Sequence, residues 1–225
     1  MKLNYLFFLI VLFAFTALSA QGFYFDVGGG FGRAATTWTE QELGYPMPPY
    51  SKVGIGYDVG GKIGHSPFTE LPLYFVADFA WTLSSSWEYK YEYIWYSPPV
   101  YKESSELTAN HMFIGPGIVY YPTTVFQFSA SLGVVNTVSK QLYSYERIYP
   151  DHTEGTSSTI TASNFGFGFN LSGAFDLGNK TGFLIGSKLS VIDNRVEFKD
   201  EDLYIDQKMD LSTTYVGLFV KYRIK

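Results

Sequence analysis

From Phe23 onward the chain alternates apolar and polar residues with a period of two, the mark of a strand with two unlike faces. The clearest run spans residues 53–63: Val53, Ile55, Tyr57, Val59 and Ile63 fall on one face, and Gly54, Gly56, Asp58, Gly60 and Lys62 on the other. The same split recurs seven more times. Phe23, Phe25, Val27 and Phe31 oppose Tyr24, Asp26, Gly28 and Gly30; Leu73, Phe75, Phe79 and Trp81 oppose Tyr74, Asp78 and Thr82. Met112, Ile114, Ile118 and Tyr120 oppose His111, Gly115 and Gly117; Phe126, Phe128, Leu132 and Val134 oppose Gln127, Ser129, Ser131 and Gly133. Phe165, Phe167, Phe169, Leu171 and Phe175 oppose Gly166, Gly168, Asn170 and Ser172. Phe183, Ile185, Leu189 and Val191 oppose Gly186, Lys188 and Ser190, and Val216, Leu218, Val220, Tyr222 and Ile224 oppose Gly217, Lys221 and Arg223. Eight strands are predicted, and no helical period of useful length interrupts them.

The links alternate in length. Residues 65–71, 122–124 and 178–181 are short and carry Pro or Gly with Asn, Ser or Thr, as tight turns require. Residues 36–51, 84–105, 139–158 and 193–207 read as long polar loops. Short turns on one side and long loops on the other suit an all-β, eight-stranded antiparallel up-and-down transmembrane β-barrel. Volume decides which face lies outside. Eight strands enclose a space only wide enough for side chains, and the crowded Phe, Leu, Ile and Tyr face does not fit there. The Gly, Ser and Ala face does, so the apolar face is expected to meet lipid. Closure also satisfies every backbone hydrogen bond, as a bilayer demands. Asp26, Asp58, Asp78, Asp176, Lys62, Lys188, Lys221 and Arg223 then lie inward. Four acids and four bases balance, and are expected to form an interior charge network in which pairing offsets desolvation. Aromatics cluster near both strand ends, as in the two girdles of membrane barrels.

The first residues change the picture of where the chain resides. Lys2, the apolar run from Leu6 to Phe15 and the small residues Ala17, Ser19 and Ala20 read as a secretory signal peptide, residues 1–20, ahead of a barrel domain at 21–225. Beyond Gln21 no apolar run is long enough for a membrane helix. The 225 residues contain no cysteine, which excludes disulfides and thiolate metal sites. A net charge of −5 argues against nucleic-acid partners. Aromatic residues at 19% argue against disorder.

The last strand, residues 215–222, reads Tyr-Val-Gly-Leu-Phe-Val-Lys-Tyr. It resembles the assembly signal of the small outer-membrane β-barrel family, whose familiar members are OmpA-type transmembrane domains and OmpX-like proteins. The Gly-rich first strand and the eight amphipathic segments extend the resemblance over nearly all of residues 21–225. It implies insertion by the barrel-insertion machinery, residence as a monomer in the lipid of the bacterial outer membrane, and no cofactor. Many members finish on an aromatic residue, whereas this chain finishes Ile224-Lys225.

Candidate interaction residues lie in the long loops. Trp87, Tyr89, Tyr91, Tyr93 and Trp95 keep the odd phase of the third strand, so a hairpin rising above the membrane is expected to present an aromatic stripe outward. Tyr143, Tyr145 and Tyr149 repeat that character in the third loop. Tyr and Trp offer large amphipathic contact area, which suits an extracellular protein or glycan ligand. Glu197, Lys199, Asp200, Glu201 and Asp202 read as a solvated turn rather than a cation site. His65, His111 and His152 have no nucleophile at useful spacing, so no enzyme is expected. The expected role is structural or surface interaction. A narrow pore of the OmpW type is the alternative, and a lipid-modifying barrel enzyme the third reading.

Overall fold

A computed structural model describes residues 22–40, 50–68, 70–94, 100–177, 182–200 and 205–224. The signal peptide expected at residues 1–20 lies outside the described residues. Eight strands follow in chain order: β1 (Phe23–Glu40), β2 (Tyr50–His65), β3 (Leu73–Ile94), β4 (Val100–Tyr120), β5 (Phe126–Ile148), β6 (Thr153–Asp176), β7 (Phe183–Asp200) and β8 (Ile205–Ile224). Each pairs antiparallel with its sequence neighbours, and β1 pairs with β8, so the sheet closes into a barrel.

The register can be followed once around the wall. Tyr24 stands beside Gly64, then Val76, Gly117, Ser131, Asn170, Ser190 and Tyr215, and the circuit returns to β1 at Ala34. The closing step is therefore ten residues along β1. With a rise of ~3.4 Å and a strand spacing of ~4.8 Å, that stagger tilts the strands by about 40°. Every residue on this circuit belongs to the polar or small face of its strand, so the inner wall is the face rich in Gly, Ser and charge.

The opposite face is the outer wall. Phe31, Tyr57, Trp81, Ile114, Leu132, Phe175 and Leu218 are all exposed, and Phe165 and Phe167 reach 70% and 72%. The charged Asp26, Asp58, Asp78, Lys62, Lys188 and Lys221 are buried. A water-soluble barrel has the reverse arrangement, so this wall is built for hydrocarbon. The chain is an all-β, eight-stranded antiparallel transmembrane barrel. Near the short turns the outer wall carries ring pairs: Phe126 and Phe175 at 4.8 Å, and Phe183 and Tyr222 at 5.4 Å. These are one girdle of the barrel.

Inside, small apolar clusters sit between the charges. Ala80, Phe113, Val135 and Ile192 form one, and Ala174, Leu184 and Phe219 another. Glycine on the inner wall lets backbones approach. A Cβ on Gly32 would stand 2.1 Å from the Val216 carbonyl oxygen and 2.3 Å from Gly217 Cα. At a short turn, Gly182 adopts φ +67° and its carbonyl accepts from the Arg223 amide at 2.6 Å.

The strands hold 16 to 24 residues, whereas a tilted crossing needs about 9–11. Three of the four long polar loops expected from sequence, residues 84–105, 139–158 and 193–207, are thus largely strand, whereas most of the first lies outside the described residues. The wall does not stay closed over this extension. Pairing of β2 with β3 stops at Gly56 and Ser84, and pairing of β6 with β7 stops at Phe167 and Asp193. Beyond those levels the other pairings continue, up to Ile94 with Val100, Ile148 with Thr153, Asp200 with Ile205 and Trp38 with Tyr50. Among the described residues the ladders beyond those levels group the strands as β3–β6 and β7–β8–β1–β2, with a seam on each side.

Candidate functional site: the charged interior and the divided rim

The inward charges meet as four acid–base pairs. Lys221 Nζ lies 3.1 Å from Asp26 Oδ1, Lys188 Nζ 2.7 Å from Asp58 Oδ1, Lys62 Nζ 3.5 Å from Asp78 Oδ1, and Arg223 Nη2 2.5 Å from Asp176 Oδ2. Register explains why. Lys62 stands opposite Asp78 across β2 and β3, while Asp58 and Lys188 reach each other across the interior. Neutral donors complete the carboxylates. Thr82 donates to Asp58 at 3.0 Å, Asn170 to Asp78 at 3.3 Å, and Ser131 also donates to Asp78. The Tyr24 hydroxyl donates to Asp26 at 2.5 Å, and the Lys62 amide donates to Asp26 at 3.1 Å. Such donors are what a buried ion pair needs if its attraction is to match its desolvation cost. The sequence reading named the charges but none of these helpers, although Ser131, Asn170 and Tyr24 were visible on the same polar faces.

At the short-turn mouth the network continues through neutral groups. Tyr121 donates to Gln127 Oε1, and Arg223 donates to the Tyr121 oxygen. A cavity of about 580 Å³ opens there, lined in part by Tyr24, Tyr74, Tyr121, Pro72 and Arg223. Deeper in, His111 is 1% exposed and shares a hydrogen bond of 2.9 Å with Thr137 through Nδ1. Its Nε2 has no hydrogen-bond partner among the described residues. No cluster of three metal-binding side chains occurs among them. Glu201 and Asp202 of the acidic turn lie outside the described residues.

The rim holds the aromatic candidates, and the backbone register there departs from unbroken alternation. The odd phase of β3 does not run unbroken. Ser84 pairs with Ala109, but Trp87 pairs with Leu107, so β3 carries one extra residue around Ser85 and Ser86. One inserted residue exchanges the two faces of everything beyond it. Strand β4 has no such shift against β5. Trp87, Tyr89, Tyr91 and Tyr93 therefore stand in register with Leu107, Ser105, Glu103 and Tyr101, the positions that continue the phase of the inward Ala109 and His111. Tyr143 and Tyr145 stand in register with Ser105 and Glu103. Six of the eight aromatic candidates thus hold alternate register positions of β3 and β5, on either side of β4. Trp95 lies outside the described residues.

Tyr149 is the remaining candidate and sits at the β5–β6 tip. Its ring stacks on His152 at 4.5 Å and 8°, and its amide donates to the His152 carbonyl at 2.8 Å. His152 in turn meets Asp151 at 2.8 Å and Glu154 at 3.5 Å.

Side chains bridge the β6–β7 seam where the ladder ends. Asn194 Nδ2 donates to the Asn164 carbonyl at 3.1 Å, and Asn164 Nδ2 donates to the Arg195 carbonyl. Asn164→Leu is expected to raise amide hydrogen exchange at residues 164–167 and 193–195 at least tenfold. It should leave global stability within about 0.5 kcal/mol, because the site is exposed and local. Unchanged exchange would show that the amides do not hold the seam.

No family model and no curated protein matches the chain. Among solved structures it is similar to Ail, the attachment invasion locus protein of Yersinia pestis, at 13% identity over 91% of this chain and 100% of that one, with a TM-score of 0.43. It is similar to the outer membrane protein OprG of Pseudomonas aeruginosa at 13% identity over 89% and 96%, with a TM-score of 0.43. It is also similar to the outer membrane protease OmpT of Escherichia coli at 7% identity over 92% and 99%, with a TM-score of 0.44. This chain's own architecture is a closed antiparallel barrel, apolar on its outer wall and charged within.

Proposed function

We propose that this chain is an integral barrel of a bacterial outer membrane whose activity is surface interaction, carried by the divided half that rises beyond the bilayer. The supporting observation is the register of β3, β4 and β5, which brings Trp87, Tyr89, Tyr91, Tyr93, Tyr143 and Tyr145 to alternate positions of one stretch of sheet beyond the bilayer. Rings grouped on a sheet face stack on sugar rings or bury against a protein partner at low entropic cost. An extracellular glycan or protein is the partner class this chemistry suits. Passage through the barrel is the weaker reading, because four ion pairs occupy an interior that eight strands already make narrow.

The chain refolded in lipid is titrated with neutral oligosaccharides of several sugar compositions, while planar bilayers report conductance. The expected result is silent bilayers and binding to at least one probe that weakens tenfold or more in Tyr89→Ser/Tyr91→Ser. Discrete conductance steps with no binding would replace this reading by a narrow pore.

A further inference from the structure

Side chains from opposite walls cross the short-turn mouth twice. In a closed ring of eight strands in chain order, β1 stands opposite β5 and β4 opposite β8. Tyr24 is the second residue of β1 and Gln127 the second of β5. The Tyr24 hydroxyl, which donates to Asp26 at 2.5 Å, also stands 3.3 Å from Gln127 Oε1. Arg223 is the last residue but one of β8, and Tyr121 follows the end of β4. The Arg223 guanidinium donates to the Tyr121 hydroxyl oxygen. The two bars are joined, because the Tyr121 hydroxyl donates to the same Gln127 Oε1. Asp176, the last residue of β6, ties Arg223 back to the wall at 2.5 Å.

Packing fills the angles between the bars. Tyr24 and Tyr121 cluster with Val76 and Val119, and the partly buried Tyr74 ring lies 5.4 Å from Tyr24 and 6.0 Å from Tyr121. Strand ends at an open mouth are ordinarily wet, yet Tyr24 and Gln127 are each 2% exposed. The cavity of about 580 Å³ lies against this brace, with Tyr24, Tyr121 and Arg223 in its wall.

We propose that the brace is the seal of the barrel on the short-turn side. It makes the cavity a blind pit and keeps water and solutes from the interior above it. The pair of Asp26 and Lys221 begins one inward position beyond the brace, on the same two strands as Tyr24 and Arg223. Exclusion of water there preserves the strength of its attraction. Gln127 is the joint, since one oxygen takes both tyrosines. The seal is a property of the barrel and does not depend on what the rim binds.

The chain has no cysteine, so one introduced thiol reports access to the interior. Ser129 lies two residues beyond Gln127 on the inner wall of β5 and is 5% exposed; Ser139, ten residues further towards the rim, is 0% exposed. The full-length Ser129→Cys and Ser139→Cys variants are held in lipid nanodiscs, with both mouths in water, and their labelling by 2-sulfonatoethyl methanethiosulfonate is timed. Ser129→Cys is expected to label slowly, and adding Gln127→Ala or Tyr121→Ala should speed it at least tenfold, because opening the mouth then costs less. The same additions should change Ser139→Cys labelling by no more than about twofold, because the opening is local. Asp58→Leu/Lys188→Met, which removes an ion pair away from the mouth, should leave the Ser129→Cys rate unchanged. A heat-dependent gel shift reports folding for every variant. Rapid labelling of Ser129→Cys with the brace intact overturns the seal, as does labelling that neither brace variant speeds. Equal acceleration of Ser129→Cys and Ser139→Cys also overturns it, since the whole barrel has then loosened.

Discussion

Asp26→Ala is expected to destabilise the barrel by about 3–5 kcal/mol, because it removes one partner of a buried pair and leaves the other charge uncompensated. Asp26 is 0% exposed, and its carboxylate takes the Lys221 ammonium at 3.1 Å, the Tyr24 hydroxyl at 2.5 Å and the Lys62 amide at 3.1 Å. Without it Lys221 stays buried without that carboxylate, and the Tyr24 hydroxyl keeps only the longer bond of 3.3 Å to Gln127 Oε1. Replacing both charges with apolar side chains removes the imbalance rather than exposing it. Asp26→Leu/Lys221→Met is therefore expected to recover most of the loss. The midpoint of urea unfolding in lipid vesicles, read by the heat-dependent gel shift, measures both. A single variant as stable as wild type would mean that water solvates the interior charges. A double variant as weak as the single one would mean that Asp26 acts through Tyr24 and Lys62 instead.

The second large effect is on the outer wall. Leu132 is exposed, six residues along β5 from Phe126 of the girdle, which at a tilt of about 40° places it near mid-bilayer. Leu132→Arg is expected to cost about 2–4 kcal/mol, the range for arginine at the midplane of a lipid-facing barrel wall. Thr161→Arg, in the outward phase of β6 but above the seam, should fall within about 0.5 kcal/mol of wild type. Depth alone separates the two, so the comparison tests the position of the bilayer. Equal and small effects would show that the apolar wall does not face hydrocarbon.

Much of this molecule is written locally. The period of two in each segment depends only on neighbouring residues, and it names the strands, their number and both faces. The volume argument then turns the crowded Phe and Leu face towards lipid, since eight strands leave no room for it inside. The charges at Asp26, Asp58, Asp78, Asp176, Lys62, Lys188, Lys221 and Arg223 were legible as inward positions for the same reason. Their pairing was not. Whether Asp58 meets Lys188 or Lys62 depends on the stagger with which the sheet closes, a property of eight hydrogen-bonded ladders taken together.

The rim shows the limit most clearly. Read by parity alone, Trp87, Tyr89, Tyr91 and Tyr93 continue the lipid-facing phase of Trp81 and Leu83. One extra residue near Ser85 breaks that count, and only the partner strand reveals it, because a bulge is defined by two residues facing one. The polar stretches read as loops are strands for a related reason. Above the membrane the outer face meets water, so it no longer has to be apolar, and the alternation expected for a lipid-facing wall fades from the sequence where the wall continues. The sequence determined the strands and their two faces, since these follow from local alternation and side-chain volume. The stagger, the ion partners, the bulge and the two seams belong to the tertiary structure, since each is a relation between strands distant along the chain.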